Sequence, residues 1–169
     1  MEFIKKNLLA IIVAGAGVLA LIFGLILPGA TASQEGVEAS VGVFGLAFGG
    51  AEITTTTMGM EIPVTVEGGM AFFGLISILA LFAGIALTAA SIFIKDKNFD
   101  FLGAILIAVA GLAMFLLLAA GTDVSMYGMT SSFGDFYKEF GLGAGAIIYA
   151  LIAIIGGGFG ILNKFKKII

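Results

Sequence analysis

Long apolar runs without charge alternate with short polar segments along this chain. Four of the runs are long enough to cross the hydrocarbon core of a bilayer, which takes about 20 helical residues. They are residues 7–28, 69–94, 101–121 and 140–163. This pattern predicts a membrane α-helical fold, in which a bundle of four transmembrane helices forms a single integral membrane domain over residues 1–169.

Between the first two runs, residues 29–68 change to a period of two, which is typical of strands. Gly49-Gly50 suits a type I′ turn and Gly59-Met60 a type II′ turn. These turns would align about three antiparallel strands with one apolar face, and Pro63 would make the last strand an edge. The predicted apolar face comprises Phe44, Leu46, Phe48, Ile53, Thr55, Ile62, Val64 and Val66.

In the same predicted register, Glu52 and Glu67 stand directly opposite each other. Like charges across a ladder repel, and a hard cation such as calcium would relieve the repulsion. The alternative is that both side chains lie in water at strand ends, where the repulsion is small. We favour this alternative and predict no metal site. Glu52 and Glu67 are the weak candidates for metal ligands.

The second polar segment, residues 122–139, carries an aromatic stripe at helical spacing. Ser132 and Asp135 resemble a capping box, which predicts that the fourth helix starts outside the membrane. The stripe comprises Phe133, Phe136, Tyr137 and Phe140. These side chains would either cover the apolar face of the sheet or anchor the helix at the headgroup level.

The charges indicate how the chain lies in the membrane. Of its eight lysines, all except Lys138 fall on the side of the two termini and of the turn at 95–100. The positive-inside rule therefore predicts a multi-pass protein of the cell membrane with cytoplasmic N- and C-termini and an extracellular sheet. The opposite side is acidic and contains Glu35, Glu38, Glu52, Glu61, Glu67, Asp123, Asp135 and Glu139.

The first run could instead be a secretory signal, because lysines precede it and a small-residue sequence, "ATA", follows it at 30–32. Its 20 apolar residues, 8–27, exceed the 7–15 of a signal's apolar region and match a membrane span. We therefore predict a retained first helix.

The residue types that are absent narrow the function. The chain has no cysteine or histidine, which removes disulfides, thiolate nucleophiles and the usual transition-metal ligands. It has no arginine for bidentate phosphate binding, so nucleic acid is not an expected partner. Carboxylates such as Asp123, Asp135 and Glu139 show no spacing that predicts a catalytic pair. We predict no enzyme activity and no cofactor.

Inside the spans, small residues recur at a spacing of four. Such pairs let helix backbones approach closely. They include Ala80 with Gly84, Gly141 with Gly145, and Gly156 with Gly160, besides Ala10 with Ala14 and Ala104 with Ala108. Ser77, Thr88, Ser91 and Tyr149 are the main polar side chains in the spans, and we expect them to serve packing or backbone hydrogen bonding.

The order of segments resembles the claudin and peripheral-myelin-protein group of tetraspan proteins. The resemblance is one of layout: a span, a strand-forming outer loop, two spans joined by a short turn, a second outer loop and a last span. "FGLAF" at 44–48 occupies a comparable strand, while the tryptophan and the two cysteines of that group are missing. The resemblance implies lateral self-association through the outer loops and charge-selective paracellular-type pores.

Two functional hypotheses follow. The first is a non-enzymatic structural or interaction protein that self-associates, or binds a membrane protein partner, through its outer sheet and its Gly-rich helices within the lipid bilayer. The second is a cation-attracting channel, or an auxiliary subunit of a transport complex, in which Glu52, Glu61 and Glu67 concentrate cations.

Overall fold

Four long helices dominate a computed structural model of the chain, which describes residues 7–34, 37–48, 50–57, 60–68, 72–94, 97–120, 123–126, 129–132 and 141–166. They are α1 (Leu8–Ile26), α3 (Phe72–Ile94), α4 (Lys97–Ala120) and α5 (Ala144–Lys166), and a short helix, α2 (Val43–Phe48), precedes α3. Each long helix is apolar and long enough to cross a membrane, which confirms the predicted set of four. The chain is therefore of the multi-pass membrane type.

The long helices form a bundle around one apolar core. α4 packs along α3 on one side and α5 on the other, α1 packs on α5 and α3, and α1 and α4 lie diagonally opposite. Large side chains fill the centre of the bundle and are fully buried, among them Tyr149, Leu81, Ile107, Met114 and Leu117. The outward faces of the same helices expose Leu, Ile and Phe, as expected of helices whose solvent is lipid.

The bundle has two chemically different ends. At the lysine end, α1 and α4 begin and α3 and α5 finish, and this end contains Lys97, Lys164 and Lys166. At the opposite end, which we call the strand end, short strands connect the helices. The strands are β1 (Pro28–Gln34), β2 (Val37–Gly42), β3 (Gly50–Thr57), β4 (Met60–Gly68), β5 (Asp123–Met126), β6 (Met129–Ser132) and β7 (Gly141–Leu142).

The strands form two antiparallel sheets, which differ from the single three-stranded sheet that the sequence predicts. One has the order β2-β1-β7 and the other the order β3-β4-β5-β6. The second sheet joins the segment after α2 to the segment after α4, because Glu67 pairs with Ser125 and Gly68 with Val124. Strand pairing therefore links parts of the chain that the sequence analysis treated separately.

The first predicted strand, around residues 43–48, is wrong: these residues form α2. Val43 and Ala47, one helical turn apart, are both buried, while Phe44 and Phe48 stack on each other with ring centroids 6.3 Å apart. Alternating apolar residues fit either period over six positions, and contact with the bundle selects the helix. Phe44, Leu46 and Phe48 therefore do not lie on a sheet.

The predicted register across the second turn is also wrong, by two residues. The ladder pairs Ile53 with Val64 and ends at Thr57 and Met60, so the strands are joined through residues 58–59. A shift of two keeps the parity of the pairing, because side chains alternate with period two. It does remove the predicted acidic pair: Glu52 lies opposite Thr65, and Glu67 lies opposite Gly50.

Two further expectations about the strand end need correction. Pro63 lies opposite Thr54 within β4, which is an inner strand of its sheet, although β5 pairs only with the far end of β4. The fourth helix begins at Ala144, after β7, and not near Ser132, which ends β6. The aromatic stripe at 133–140 lies outside the described residues, so its proposed packing on the sheet stays a prediction.

Candidate functional site

A hydrogen-bonded group of side chains ties three helices together inside the bundle. The Ser77 hydroxyl on α3 donates to the Ala110 carbonyl on α4 at 2.6 Å and lies 3.0 Å from the Tyr149 hydroxyl on α5. The Tyr149 hydroxyl also lies 3.3 Å from the Ser77 carbonyl oxygen. Ser77 and Tyr149 are fully buried, so this polar tie is satisfied within the chain.

A second polar group lies near the lysine end, between α3 and α4. Thr88 donates to the Gly84 carbonyl at 2.8 Å, a bond within its own helix. Ser91 donates to the Thr88 carbonyl at 2.6 Å and also bonds the Asp100 carboxylate in the first turn of α4. The hydrogen bond between the Ser91 hydroxyl and the Asp100 carboxylate therefore links α3 and α4 close to the turn that joins them. These bonds confirm that the polar residues of the spans serve packing and backbone bonding.

These groups offer little for chemistry. Each hydroxyl of the polar tie is engaged by another group of the same chain. Within the described residues, no three acidic, histidine or cysteine side chains come together as metal ligands would. Among the described residues these bonds hold helices in place, and the carboxylate beside a hydroxyl, Asp100 on Ser91, forms part of the contact between α3 and α4.

Gly84, one of the predicted helix-packing residues of α3, lies in the contact with α4. Ala80 is buried, and a Cβ added at Gly84 would lie 2.7 Å from Ile107 and 2.9 Å from the Gly103 carbonyl oxygen. Gly103 in turn faces Gly84, so neither of these two residues places a side chain between the two backbones. This close crossing is the use that small residues serve in membrane helices.

The predicted small residues of α5 are used inside the chain as well. Gly156 meets Ala16 of α1, and a Cβ at Gly160 would lie 2.6 Å from Ala104 and 2.8 Å from Val13. Gly145 lies against the Leu27 carbonyl, where a Cβ would come within 2.5 Å. Gly141 is not a helical residue at all, since it pairs with Thr31 in the first sheet.

The remaining predicted interaction residues fall in different places. Phe44 and Phe48 lie on α2, where Phe48 is exposed and Phe44 is half-buried. Leu46 lies on the same helix, and Ile62, Val64 and Val66 lie on β4. Phe133, Phe136 and Tyr137 lie outside the described residues. The structure therefore brings the β4 residues together on a strand and separates them from the three on α2.

One strand of the larger sheet presents an edge. In the described part of the chain, β3 has a ladder partner on one side only, namely β4. β3 has eight residues, and its last four, 54–57, are all threonine. In the same part of the chain, β2 lies close to β3 without a ladder between them, and the ladder-free side of a strand of this length can accept another strand.

An open apolar groove runs between α1 and α5 on the outer surface of the bundle. It has a volume of about 500 Å³. Gly15, Ala16 and Gly156 form its floor, and larger side chains, including Ile11, Leu19 and Phe159, form its walls. A Cβ added at Gly15 would meet nothing within 4 Å, so the groove is open at its floor.

Comparison of the chain with protein-family models, with curated proteins and with solved structures found no match. The claudin-like layout therefore stays a prediction from the order of segments.

Sequence reasoning missed the Ser91–Asp100 bond, the second sheet and the groove. Asp100 could have been found, because an acid in the first turn of a helix that follows a short connection can reach the preceding helix. No such sequence signal marks the groove, because its lining residues are ordinary apolar and small residues. Whether they leave a groove open depends on how the two helices cross.

Proposed function

We propose that this protein is a non-enzymatic membrane interaction protein whose helices hold a strand layer outside the bilayer, where it pairs with a second copy of the chain. The observation that carries this proposal is the β3 edge, which has no ladder partner on its outer side among the described residues. Strand addition at an exposed edge is a common mode of protein association, since main-chain hydrogen bonds supply the attachment.

The threonine run makes β3 suited to pairing with its own copy. If two copies met antiparallel around residues 54–57, threonine would face threonine across the new ladder. Thr–Thr pairs are favourable cross-strand pairs, and Glu52 of one copy would not face Glu52 of the other. The sequence of the edge therefore avoids the like-charge repulsion that would oppose self-pairing.

The helix faces support this choice by elimination. Gly84, Gly156 and Gly160 are each in contact with another helix of the same chain. These residues are therefore occupied in the monomer, and the strand edge is the better candidate for association. The lysine distribution supports a location of the strand layer on the extracellular side of the cell membrane, with both termini in the cytoplasm.

The absence of cysteine makes a direct test possible, because each introduced cysteine reports on itself alone. Single variants from Glu52→Cys to Thr57→Cys, made one at a time, would be oxidised in native membranes. We expect disulfide-linked dimers to concentrate at one position within 54–57, because the two-fold axis of an antiparallel pair brings only the residue on the axis opposite its own copy. Leu79→Cys is the matched control: it is 58% exposed on the lipid-facing side of α3 and should form few dimers.

Three outcomes would contradict the proposal. Dimers that form equally at every position, including Leu79, would reflect random collision in the membrane. A series without any dimer, together with a monomer in native mass spectrometry from mild detergent, would remove self-pairing. A cross-linked product containing a different chain would assign the edge to a membrane partner instead.

A further inference from the structure

The groove between α1 and α5 spans the middle of both helices and extends toward the lysine end, from Ile152 to Phe159 on α5. On α1 it runs from Ile11 to Leu19, which is about 12 Å at 1.5 Å per residue. One leaflet of a bilayer has about 15 Å of hydrocarbon, half of the full core of about 30 Å. The groove is therefore long enough to hold most of an acyl chain that enters from the lysine end and reaches the centre of the bilayer.

A positive charge lies in line with the groove at its open end. Lys166 follows the wall residue Phe159 by seven residues, which is about two turns and places both on the same face of α5. The rise between them is about 10 Å, so Lys166 lies where the headgroup of that leaflet would begin. Lys166 is exposed. Lys164, by contrast, is directed to α4, with its Nζ 5.7 Å from the centre of the Phe101 ring.

Charge also argues against a second copy of this chain in the groove. Any copy inserted with the same orientation would bring its own lysine end beside Lys166. Lys97, Lys164 and Lys166 belong to that end, so two copies packed directly through the groove would bring these like charges together. An anionic phospholipid brings the opposite charge and an apolar chain of the right depth.

We infer that the α1–α5 groove binds one acyl chain of an anionic phospholipid from the leaflet at the lysine end, with Lys166 contacting the phosphate. Basic sites between transmembrane helices are known to hold anionic headgroups. The groove volume of about 500 Å³ lies within the usual range of ligand pockets, about 300–1,000 Å³. This site is distinct from the strand edge and does not depend on pairing there.

Two variants separate the two parts of the site. Gly15→Leu fills the floor of the groove without meeting another group of the chain, since a Cβ at Gly15 has open space. Its matched control is Gly158→Leu, which also has open space within 4 Å but does not line the groove. Lys166→Gln removes the proposed phosphate contact, and Lys164→Gln is its matched control.

The measurement is lipid retention by native mass spectrometry, with dioleoyl phosphatidylglycerol and dioleoyl phosphatidylcholine offered in equal amounts. The wild type should prefer phosphatidylglycerol by about fivefold, as expected for one lysine at an anionic headgroup. Lys166→Gln should abolish the preference, and Gly15→Leu should lose the bound lipid, while both controls behave as the wild type does. Equal retention of the two lipids by the wild type would overturn the inference.

A second readout does not depend on the detergent step. The chain has no tryptophan, so Phe159→Trp would introduce a single fluorophore into the groove wall, and Leu79→Trp would place one on a different face. In vesicles, brominated phosphatidylglycerol should quench the Phe159→Trp variant more than brominated phosphatidylcholine does, with no such difference for the Leu79→Trp variant. Quenching without a lipid preference in both variants would assign the groove to bulk lipid. A dimer that dissociates in the Gly15→Leu variant would assign the groove to a second copy of the chain.

Discussion

Two helix pairs in this bundle use small residues and reach different results. In the α3–α4 pair, Gly84 and Gly103 cross with no side chain between them, and the Ser91–Asp100 bond fixes one end. In the α1–α5 pair, Gly156 meets Ala16, yet an open groove of about 500 Å³ remains beside the contact. The same spacing of small residues thus produces a closed interface in one case and an open one in the other.

The difference lies in what flanks the small residues. Beside the α3–α4 crossing are short polar side chains, such as Thr88, which bond to backbone and leave the helices close together. Beside the α1–α5 contact are Ile11, Leu19 and Phe159, which extend outward and form walls. A small-residue motif therefore sets how closely two helices approach at one point, and its neighbours decide whether the interface is sealed.

A substitution in the closed α3–α4 interface should cause the larger loss of stability. In Gly103→Ala, the new Cβ would overlap the Thr88 hydroxyl and lie 2.8 Å from the Gly84 carbonyl oxygen and 2.9 Å from the Thr88 nitrogen. Because backbone atoms cannot rotate away, α3 and α4 must separate. We expect a loss of about 3 kcal/mol in the free energy of unfolding, measured by denaturation in mixed micelles with sodium dodecyl sulfate.

Gly158→Ala is the control for this change, since its Cβ meets nothing within 4 Å. It should leave stability unchanged or raise it by up to about 1 kcal/mol through helix propensity. Equal stability of the two variants would mean that the α3–α4 crossing is not as close as described.

Enlarging a small residue in the α1–α5 interface should reduce the free energy of unfolding by less. In Gly156→Ala, the new Cβ would overlap the Ala16 methyl group, whereas the Ala16 Cα would be 3.7 Å away. The helices can shift because the groove leaves space beside them, so we expect a loss of about 1 kcal/mol in the same unfolding measurement. Adding Ala16→Gly to Gly156→Ala should recover part of this loss, because the pair then has one methyl group again. A double variant whose loss is the sum of the two single losses would show that the residues are not in contact.

The polar tie should contribute least. In Tyr149→Phe, the ring that fills the core stays, and Ser77 keeps its bond to the Ala110 carbonyl. Hydrogen bonds between membrane helices are worth about 0.6 kcal/mol on average, so we expect a loss of that size in micelle unfolding. A double-variant cycle with Ser77→Ala isolates the hydroxyl pair. A coupling energy of zero would mean that the two hydroxyls do not bond.

The helices were predictable because each is long and lies in one kind of environment. Four uncharged runs of about 20 residues have few alternatives to membrane helices. The small-residue spacing was not a guide to helix boundaries: the spacing of Gly141 to Gly145 extends across the start of α5 into a strand. Spacing alone does not mark where a helix begins.

The strand end was less predictable for reasons of length and turn chemistry. Residues 43–48 alternate well enough for a strand, but burial of Val43 and Ala47 on one helical face outweighs that pattern. At the second turn, residues 58–59 and residues 59–60 both place Gly59 at a turn position, so the sequence permits both registers. Pairing of β4 with β5 joins two distant segments, and no local pattern predicts it.

The short helix α2 has a mechanical consequence. Ala47 lies against Gly74, where an added Cβ would come within 2.6 Å of the Ala47 backbone, and Val43 lies beside Gly24 and is fully buried. α2 thus packs on α1 and α3, and it is followed in the chain by β3 and preceded by β2. A force applied to β3 would therefore be transmitted through α2 to the bundle, and the packing of α2 restricts the movement of the two sheets relative to the helices.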